Sequence, residues 1–160
     1  MDTSTDIAPV TLTIPVRTTP ERAFAVFTGR MRDWWPESHH IGGTPPAAIV
    51  LEPRTGGRWF ERGPDGTECE WGTVLAWEPP HRLLLAWQLD GRWEYDPDLD
   101  RASEVEVTFT ATEDGTRVDF THRRLERHGD AGPAIRDAVA AEGGWPTILT
   151  RFADATTTTA

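Results

Sequence analysis

The sequence GPAIRDAVAAEGGWPTILTRF, residues 132–152, is the stretch against which the rest of the chain is predicted to pack. Its first half consists of good helix formers, and Pro133 suits a first helical turn because its missing N–H would have no intrahelical partner there. Gly143 and Gly144 end this helix, and Pro146 begins another. The apolar face of the second helix, spaced i, i+3, i+4 and i+7, consists of Trp145, Ile148, Leu149 and Phe152. We therefore expect a C-terminal helix that covers a sheet.

The N-terminal part predicts a strand followed by two helices. Residues 10–16 alternate apolar and polar side chains, and Pro15 cannot donate to a strand ladder, which favours an edge position. Thr19 is a suitable cap for a helix that Gly29 ends. A short second helix is predicted over 30–35.

Six more strands are predicted between turn signals, at 48–52, 57–62, 68–77, 82–89, 104–112 and 116–125. The turns that separate them are typical of an antiparallel meander. The predicted inward sets are Leu83, Leu85, Trp87 and Leu89, then Val105, Val107 and Phe109, then Val118, Phe120 and His122. In 68–77 the alternatives are Trp71, Leu75 and Trp77 against Gly72, Val74 and Ala76, with a preference for the first set.

Composition restricts the classes of function. Acidic residues outnumber basic ones, 26 to 16, and the net charge of −10 argues against nucleic acid as a partner. Cys69 is the only cysteine, which excludes an intramolecular disulfide and favours a reducing compartment. The sequence shows neither a signal peptide nor an apolar run that could span a membrane, so we expect a soluble, cytoplasmic protein. A single domain over 8–155 is expected, with flexible tails at 1–7 and 156–160.

Several longer motifs carry a family resemblance. They are TPERAFAVFT (19–28), DWWP (33–36), LEPRTGGRWF (51–60), GTVLAWEPPHRLLLAW (72–87), SEVEVTFTATEDGTRVDFTHRRLERHG (103–129) and GGWPTILTRFA (143–153). Together they resemble the SRPBCC (START-like) superfamily, in the branch named after the activator of the Hsp 90 ATPase. The motifs are turn and core patterns, so they point to a fold more than to an activity.

The resemblance implies an α+β helix-grip fold. In this fold a curved antiparallel seven-stranded sheet wraps around a long C-terminal helix, and two short helices follow the first strand. A hydrophobic cavity between sheet and helix would bind a small apolar ligand, with no cofactor. The chaperone-activating members carry an additional N-terminal domain, for which a chain of 160 residues leaves no room, so a chaperone partner is not expected. A homodimer is left open.

The candidate cavity residues are Trp34, Trp35, Trp87, Phe109, Phe120, His122, Trp145 and Leu149. Trp34 and Trp35 would lie at the cavity mouth, or else one would be core and the other partly exposed. The inward aromatic residues would line the cavity, or else form an ordinary packed core. His122 could act as an acid or base, or be a buried histidine whose hydrogen bonds are satisfied by the protein. No Ser or Cys nucleophile can be paired with it from the sequence.

Two clusters resemble metal sites without completing one. Neighbouring residues in 37-ESHH-40 would need further ligands at a fixed spacing, which the sequence does not supply. The stretch 96-DPDLD-100 begins like a calcium loop, but Arg101 replaces the glycine at position 6 and Val107 replaces the final glutamate. No metal site is therefore predicted.

These observations leave three hypotheses for function. The favoured one is a non-enzymatic protein that binds an apolar or aromatic ligand. The second is an enzyme of the cyclase, dehydratase or hydrolase type that uses His122. The third is a co-chaperone-like interaction protein, which would require Trp34, Trp35 and Trp93 to form an exposed patch.

Overall fold

The computed structural model describes residues 7–36 and 46–157, which form one antiparallel sheet and four α-helices. The strands are β1 (Val10–Val16), β2 (Ala48–Leu51), β3 (Arg58–Arg62), β4 (Glu68–Glu78), β5 (Arg82–Trp87), β6 (Ser103–Ala111) and β7 (Thr116–Arg123). The helices are α1 (Pro20–Gly29), α2 (Met31–Trp34), α3 (Gly132–Ala140) and α4 (Trp145–Thr156), and two 3₁₀ segments span Leu99–Arg101 and Leu125–Ala131. The strand order is β1-β7-β6-β5-β4-β3-β2.

This arrangement confirms the α+β helix-grip architecture. The curved sheet has β1 at one edge, where Pro15 needs no donor, and α4 packs against β1, α1 and α2. Thr19 caps α1 by accepting a hydrogen bond from the Arg22 N–H, as its position in the sequence predicts. No helix in the described ranges is both long and apolar enough to cross a membrane.

The predicted inward faces of β5, β6 and β7 are confirmed, because every member of the three sets is buried. The face of β4 was ambiguous for a physical reason. Trp71 and Leu75 are the extra residues of two β-bulges, one opposite β3 and one opposite β5. Each bulge shifts the alternation by one residue, so Trp71, Val74 and Trp77 all pack towards the core while Leu75 is only partly buried. The preference for the aromatic set was right for the two tryptophans and wrong for Leu75.

The turn between α3 and α4 depends on two glycines. Gly143 has φ of 96°, a left-handed conformation that glycine adopts without strain. A side chain at Gly144 would collide with the carbonyl oxygen of Val139. The two residues therefore let the chain reverse closely enough to seat Trp145, the first residue of α4, in the core.

The outward face of the sheet is ionic. Arg58 reaches Glu52, Glu68 and Glu70 across neighbouring strands, and Arg82 reaches Glu106 at 2.6 Å. The two faces therefore differ in chemistry, with charged pairs outside and aromatic side chains under the helices.

Candidate functional site

His122 lies at the centre of the candidate site. It is on β7, paired with Val10 of β1 and Val105 of β6, and its side chain is fully buried at 0 % exposure. Both ring nitrogens have partners: Nδ1 accepts from Trp145 Nε1 at 3.1 Å, and Nε2 lies 2.7 Å from Ser103 Oγ. Its inward position was predicted from alternation, and its partners are a serine and an indole in place of the expected backbone or carboxylate.

Ser103 links His122 to a second histidine. Ser103 is the first residue of β6 and is fully buried, and its Oγ lies 2.7 Å from His128 Nε2 as well. His128 returns to this position because Arg124, with φ of 60°, reverses the chain after β7 and leads into the 3₁₀ segment Leu125–Ala131. The buried side chain of Leu125 holds that segment on the core.

Burial controls the protonation of both imidazoles. It is the main cause that lowers the pKa of His122 from 6.5 to about 3, with a smaller contribution from His128. Burial also lowers the pKa of the half-buried His128, but the Asp90 and Asp96 carboxylates oppose this effect. His122 is therefore neutral at physiological pH, and of the two rings His128 is the one next to negative charge.

Five indoles form a tryptophan cluster beside His122, namely Trp35, Trp59, Trp71, Trp87 and Trp145. Their ring centroids lie 5.0 to 6.4 Å apart, mostly in tilted or edge-to-face contact. Trp87 also contacts the His122 ring at 5.2 Å. The rings therefore connect the two ends of one continuous aromatic interior.

Trp87 differs from its neighbours in hydrogen bonding. Trp59 donates to the sulfur of Met31, Trp71 to Glu61 and Trp145 to His122. Among the described residues, the Trp87 Nε1 atom is the single buried side-chain nitrogen or oxygen without a hydrogen-bond partner. A buried N–H that lacks an acceptor costs about 1 to 3 kcal/mol, so this atom is a candidate donor to a ligand.

Glu61 brings a carboxylate to the opposite end of the tryptophan cluster. It lies on β3 at 1 % exposure, and its Oε1 accepts from Trp71 Nε1 at 2.9 Å. Sequence reasoning did not single it out, although Trp59 and Glu61 share a strand face by simple alternation. Ser103 and His128 were missed as well.

The other predicted cavity residues separate into two groups. Phe120 contacts Trp145 at 4.5 Å, so it lies beside the tryptophan cluster. Phe109 contacts Phe24 and Phe27 of α1, and Trp34 contacts Phe27 and Phe152. Leu149 is buried on α4. The structure thus brings Trp35, Trp87, Phe120, His122 and Trp145 together and places Phe109 in a separate part of the core; their role in binding stays a prediction.

The first two tryptophans and Trp93 do not form a surface patch. Trp34 is 1 % exposed and Trp35 is 4 % exposed, whereas Trp93 is 41 % exposed. Both alternatives that left Trp34 or Trp35 at the surface are therefore wrong, because the pair packs between α4 and the tryptophan cluster. The exposed patch required by the co-chaperone-like hypothesis is not present around these three residues.

The acidic stretch at 96–100 is stabilised without a cation. Asp96 accepts from the Asp98 N–H and from Arg101, and Asp98 accepts from the Asp100 N–H. In residues 7–36 and 46–157, no group of three His, Cys, Asp or Glu side chains is arranged to hold a metal ion. The 37-ESHH-40 stretch lies outside the described residues.

An open depression of about 510 Å³ lies on the outer side of α4. It is lined by Glu142, Pro146, Thr147, Thr150 and Arg151. None of these residues belongs to the predicted cavity set, and the depression is remote in character from the buried aromatic interior. We therefore place the candidate site at His122 and the tryptophan cluster.

Comparisons with solved structures give two relatives of informative identity. The chain is 43% identical to the anthrahydroquino-γ-pyrone synthase Txn09, solved in complex with SUM, over 94% of this chain and 97% of that one, with a TM-score of 0.67. It is 31% identical to the self-sacrificing resistance protein CalC from Micromonospora echinospora, over 94% of both chains, with a TM-score of 0.66. No curated protein matches the chain.

A third solved structure shows the fold alone. The Aha1 dimer from Colwellia psychrerythraea is 16% identical over 94% of this chain and 96% of that one, with a TM-score of 0.60. A sequence model of the family "Activator of Hsp90 ATPase homolog 1-like protein" matches residues 17–157. This match confirms the resemblance carried by the turn and core motifs. The chain belongs to the family of Activator of Hsp90 ATPase homolog 1-like proteins, within the SRPBCC superfamily.

Proposed function

We propose that the protein binds a planar aromatic molecule of the polyketide type in its tryptophan cluster. The observation that carries the proposal is the buried N–H of Trp87, which has no acceptor. A ligand carbonyl or hydroxyl oxygen that accepts from this N–H would remove an unsatisfied buried donor. The surrounding indole rings would contact the two faces of a flat ligand.

The two relatives support a ligand of this kind. One is named as a synthase of an anthrahydroquino-γ-pyrone, a fused aromatic skeleton, and the other as a resistance protein. In the present structure the indoles contact one another. Binding would therefore exchange ring–ring contacts for ring–ligand contacts, which favours an aromatic ligand over an aliphatic one because the lost contacts are replaced in kind.

Binding can be tested with alizarin, a planar dihydroxyanthraquinone, and its quenching of tryptophan fluorescence. We expect Trp87→Phe to weaken binding about tenfold, since one hydrogen bond in a buried site is worth about 0.5 to 1.5 kcal/mol. The same variant should unfold at a urea concentration close to that of the wild type, because it removes a donor that has no partner.

Trp77→Phe is the matched control. Trp77 is only partly buried and packs on Phe24, and it makes no contact with His122 among the ring pairs of the described residues. It should leave the alizarin affinity unchanged. Equal affinities for wild type and Trp87→Phe, or an absence of binding to the wild type, would contradict the proposal.

A second candidate function is ring closure on the bound molecule. It is favoured by the contact of His122 with both Trp145 and Ser103, and by the 43% identity to a pyrone synthase. A pyrone ring contains an oxygen that is bonded to carbon on both sides, so its closure can begin with the loss of a proton from a hydroxyl. His122 would remove that proton.

Catalysis can be separated from binding with 1-(2-hydroxyphenyl)-3-phenylpropane-1,3-dione, which closes to a pyrone ring with loss of water. If the protein is an enzyme, His122→Gln should slow closure about 100- to 10,000-fold and leave the dissociation constant nearly unchanged, because glutamine keeps hydrogen-bonding groups but cannot transfer a proton near neutral pH. Product analysis by liquid chromatography gives the rate. Binding without conversion by either protein would leave the binding function alone.

A further inference from the structure

The hydrogen bonds around His122 have a fixed direction. An indole N–H can only donate, so His122 Nδ1 must carry a lone pair and the proton of the neutral ring must be on Nε2. His122 Nε2–H therefore donates to Ser103 Oγ. The Ser103 hydroxyl then has one proton to give, and it donates to His128 Nε2. The sequence of donors is Trp145, His122, Ser103 and His128.

The far end of this hydrogen-bond chain lies next to negative charge and is partly accessible to solvent. His128 is half-buried, and the carboxylates of Asp90 and Asp96 face it. Asp96 is itself paired with Arg101 at 2.7 Å, and His122 is the other titratable group near the His128 ring. Glu104 of β6 is engaged by Arg123, Arg124 and Arg127 on the strand and segment next to it. Of the two imidazoles, His128 can hold a proton more easily because it is closer to water and to carboxylates.

We propose that Ser103 and His128 form a proton relay that accepts, through His122, a proton from an acidic hydroxyl of the bound ligand. The relay rests on the proposed function, because it needs an aromatic ligand whose hydroxyl replaces the Trp145 N–H at His122 Nδ1. Both groups are donors to the same lone pair, so the exchange does not alter the protonation of the ring.

The transfer balances in three steps. The ligand O–H bond breaks and an Nδ1–H bond forms on His122; the His122 Nε2–H bond breaks and an O–H bond forms on Ser103. The original Ser103 O–H bond breaks and an N–H bond forms on His128 Nε2. His122 ends as the neutral Nδ1–H tautomer, the ligand becomes an oxyanion, and the positive charge lies on His128 beside Asp90 and Asp96. The Trp87 N–H, next to His122, is available to stabilise the oxyanion.

His122 touches the ligand in this scheme, whereas Ser103 and His128 act through it. Ser103 is fully buried between the two imidazoles, so its hydroxyl carries the proton and does not attack the ligand. The relay explains how a histidine that burial keeps neutral can still accept a proton, because the charge never remains on the buried ring.

Alizarin tests the relay because its visible spectrum reports whether its hydroxyl is ionised. On the wild-type protein we expect the bound dye to ionise about one pH unit lower than on His128→Gln, which is about a tenfold change in the proton equilibrium. Ser103→Ala should lose the same shift, and Ser103→Thr, which keeps a hydroxyl, should restore it. His81→Gln, at an exposed histidine outside the site, should behave as the wild type.

Affinity is measured separately with 1,2-dimethoxyanthraquinone, which has no proton to give. Its dissociation constant should agree within about twofold between wild type and His128→Gln, because the variant removes a proton acceptor and no ligand contact. An unchanged ionisation of alizarin in His128→Gln would overturn the relay and leave the proposed binding function standing. A failure of both dyes to bind the wild type would overturn the proposed function, and the relay with it.

A measurement on the free protein tests the direction of the hydrogen bonds without a ligand. Nitrogen NMR should show His122 protonated on Nε2 and His128 protonated on Nδ1 at neutral pH, and His128→Gln should leave the His122 signals in place. The opposite tautomer at His122 would overturn the relay whatever the dyes do.

Discussion

At the scale of single residues, His122 links protonation to folding. Its pKa is about 3 in the folded protein and 6.5 in an unstructured chain, because the buried ring cannot be hydrated when charged. Below pH 6.5 the unfolded state binds a proton that the folded state does not bind. Stability is therefore fully present above pH 6.5 and is lost as the pH falls towards 3.

The free energy of unfolding should fall by about 2 to 3 kcal/mol between pH 6.5 and pH 4.5, at about 1.4 kcal/mol per pH unit. The measurement is urea denaturation at intervals of half a pH unit. This range lies above the carboxylates with lowered pKa, such as Asp96, so the histidines dominate it. His122→Gln should have a flatter profile, and a wild-type profile that is already flat would contradict the burial of a neutral ring.

The alternation of β7 was enough to predict that His122 faces inward, but it could not predict its partners. Ser103 lies one residue before the predicted strand 104–112, and extending the alternation of Val105 back by two residues would have placed it inward. His128 depends on the left-handed conformation of Arg124, for which the sequence gives no signal, since arginine is not favoured there. Local patterns thus predicted the strand face, and long-range contacts produced the site.

At the scale of secondary structure elements, α4 is held by its first residue. Trp145 contacts Trp35, Trp87 and Phe120, and it donates to His122. The i, i+3, i+4, i+7 pattern predicted this face correctly, because all four of its residues are buried. The two bulges in β4 could not be predicted, since they follow from the need to fit Trp71 and Leu75 between neighbouring strands.

Trp145→Ala should destabilise the protein by about 3 to 5 kcal/mol, because it leaves a cavity and an unsatisfied His122 nitrogen. Thr150→Ala on the exposed side of the same helix is the control, and it should change stability by less than about 0.5 kcal/mol. Urea denaturation of both variants gives the comparison. A small effect of Trp145→Ala would mean that α4 is not anchored at its start.

At the scale of the whole molecule, the sheet separates an aromatic interior from an ionic exterior. Glu104 connects the two parts of the exterior that hold the relay, since it meets Arg123 of β7 at 3.0 Å and Arg124 and Arg127 at 3.5 and 3.6 Å. Its side chain is only 14% exposed, whereas the three arginines are more accessible to water. The network therefore helps to hold the 3₁₀ segment Leu125–Ala131 on β6.

Glu104→Gln should lower stability by about 1 kcal/mol at low ionic strength, because three partly exposed arginines lose their shared carboxylate. The loss should shrink in 1 M salt, where the Debye length is about 3 Å. Glu78→Gln, whose single partner Arg82 lies at 3.5 Å, should show little effect in either condition. Equal losses for Glu104→Gln at low and high salt would argue against an electrostatic origin.

The contacts within the tryptophan cluster also give the molecule an optical property. Indole rings whose centroids lie 5.0 to 6.4 Å apart do not absorb light as independent chromophores, since their excited states mix through the coupling of their transition dipoles. The protein should therefore show an exciton couplet in its ultraviolet circular dichroism. The sign and size of such a couplet depend on the angles between the rings, so the spectrum would report the arrangement of the interior without a label. An aromatic guest that inserted between the indoles would change that signal directly.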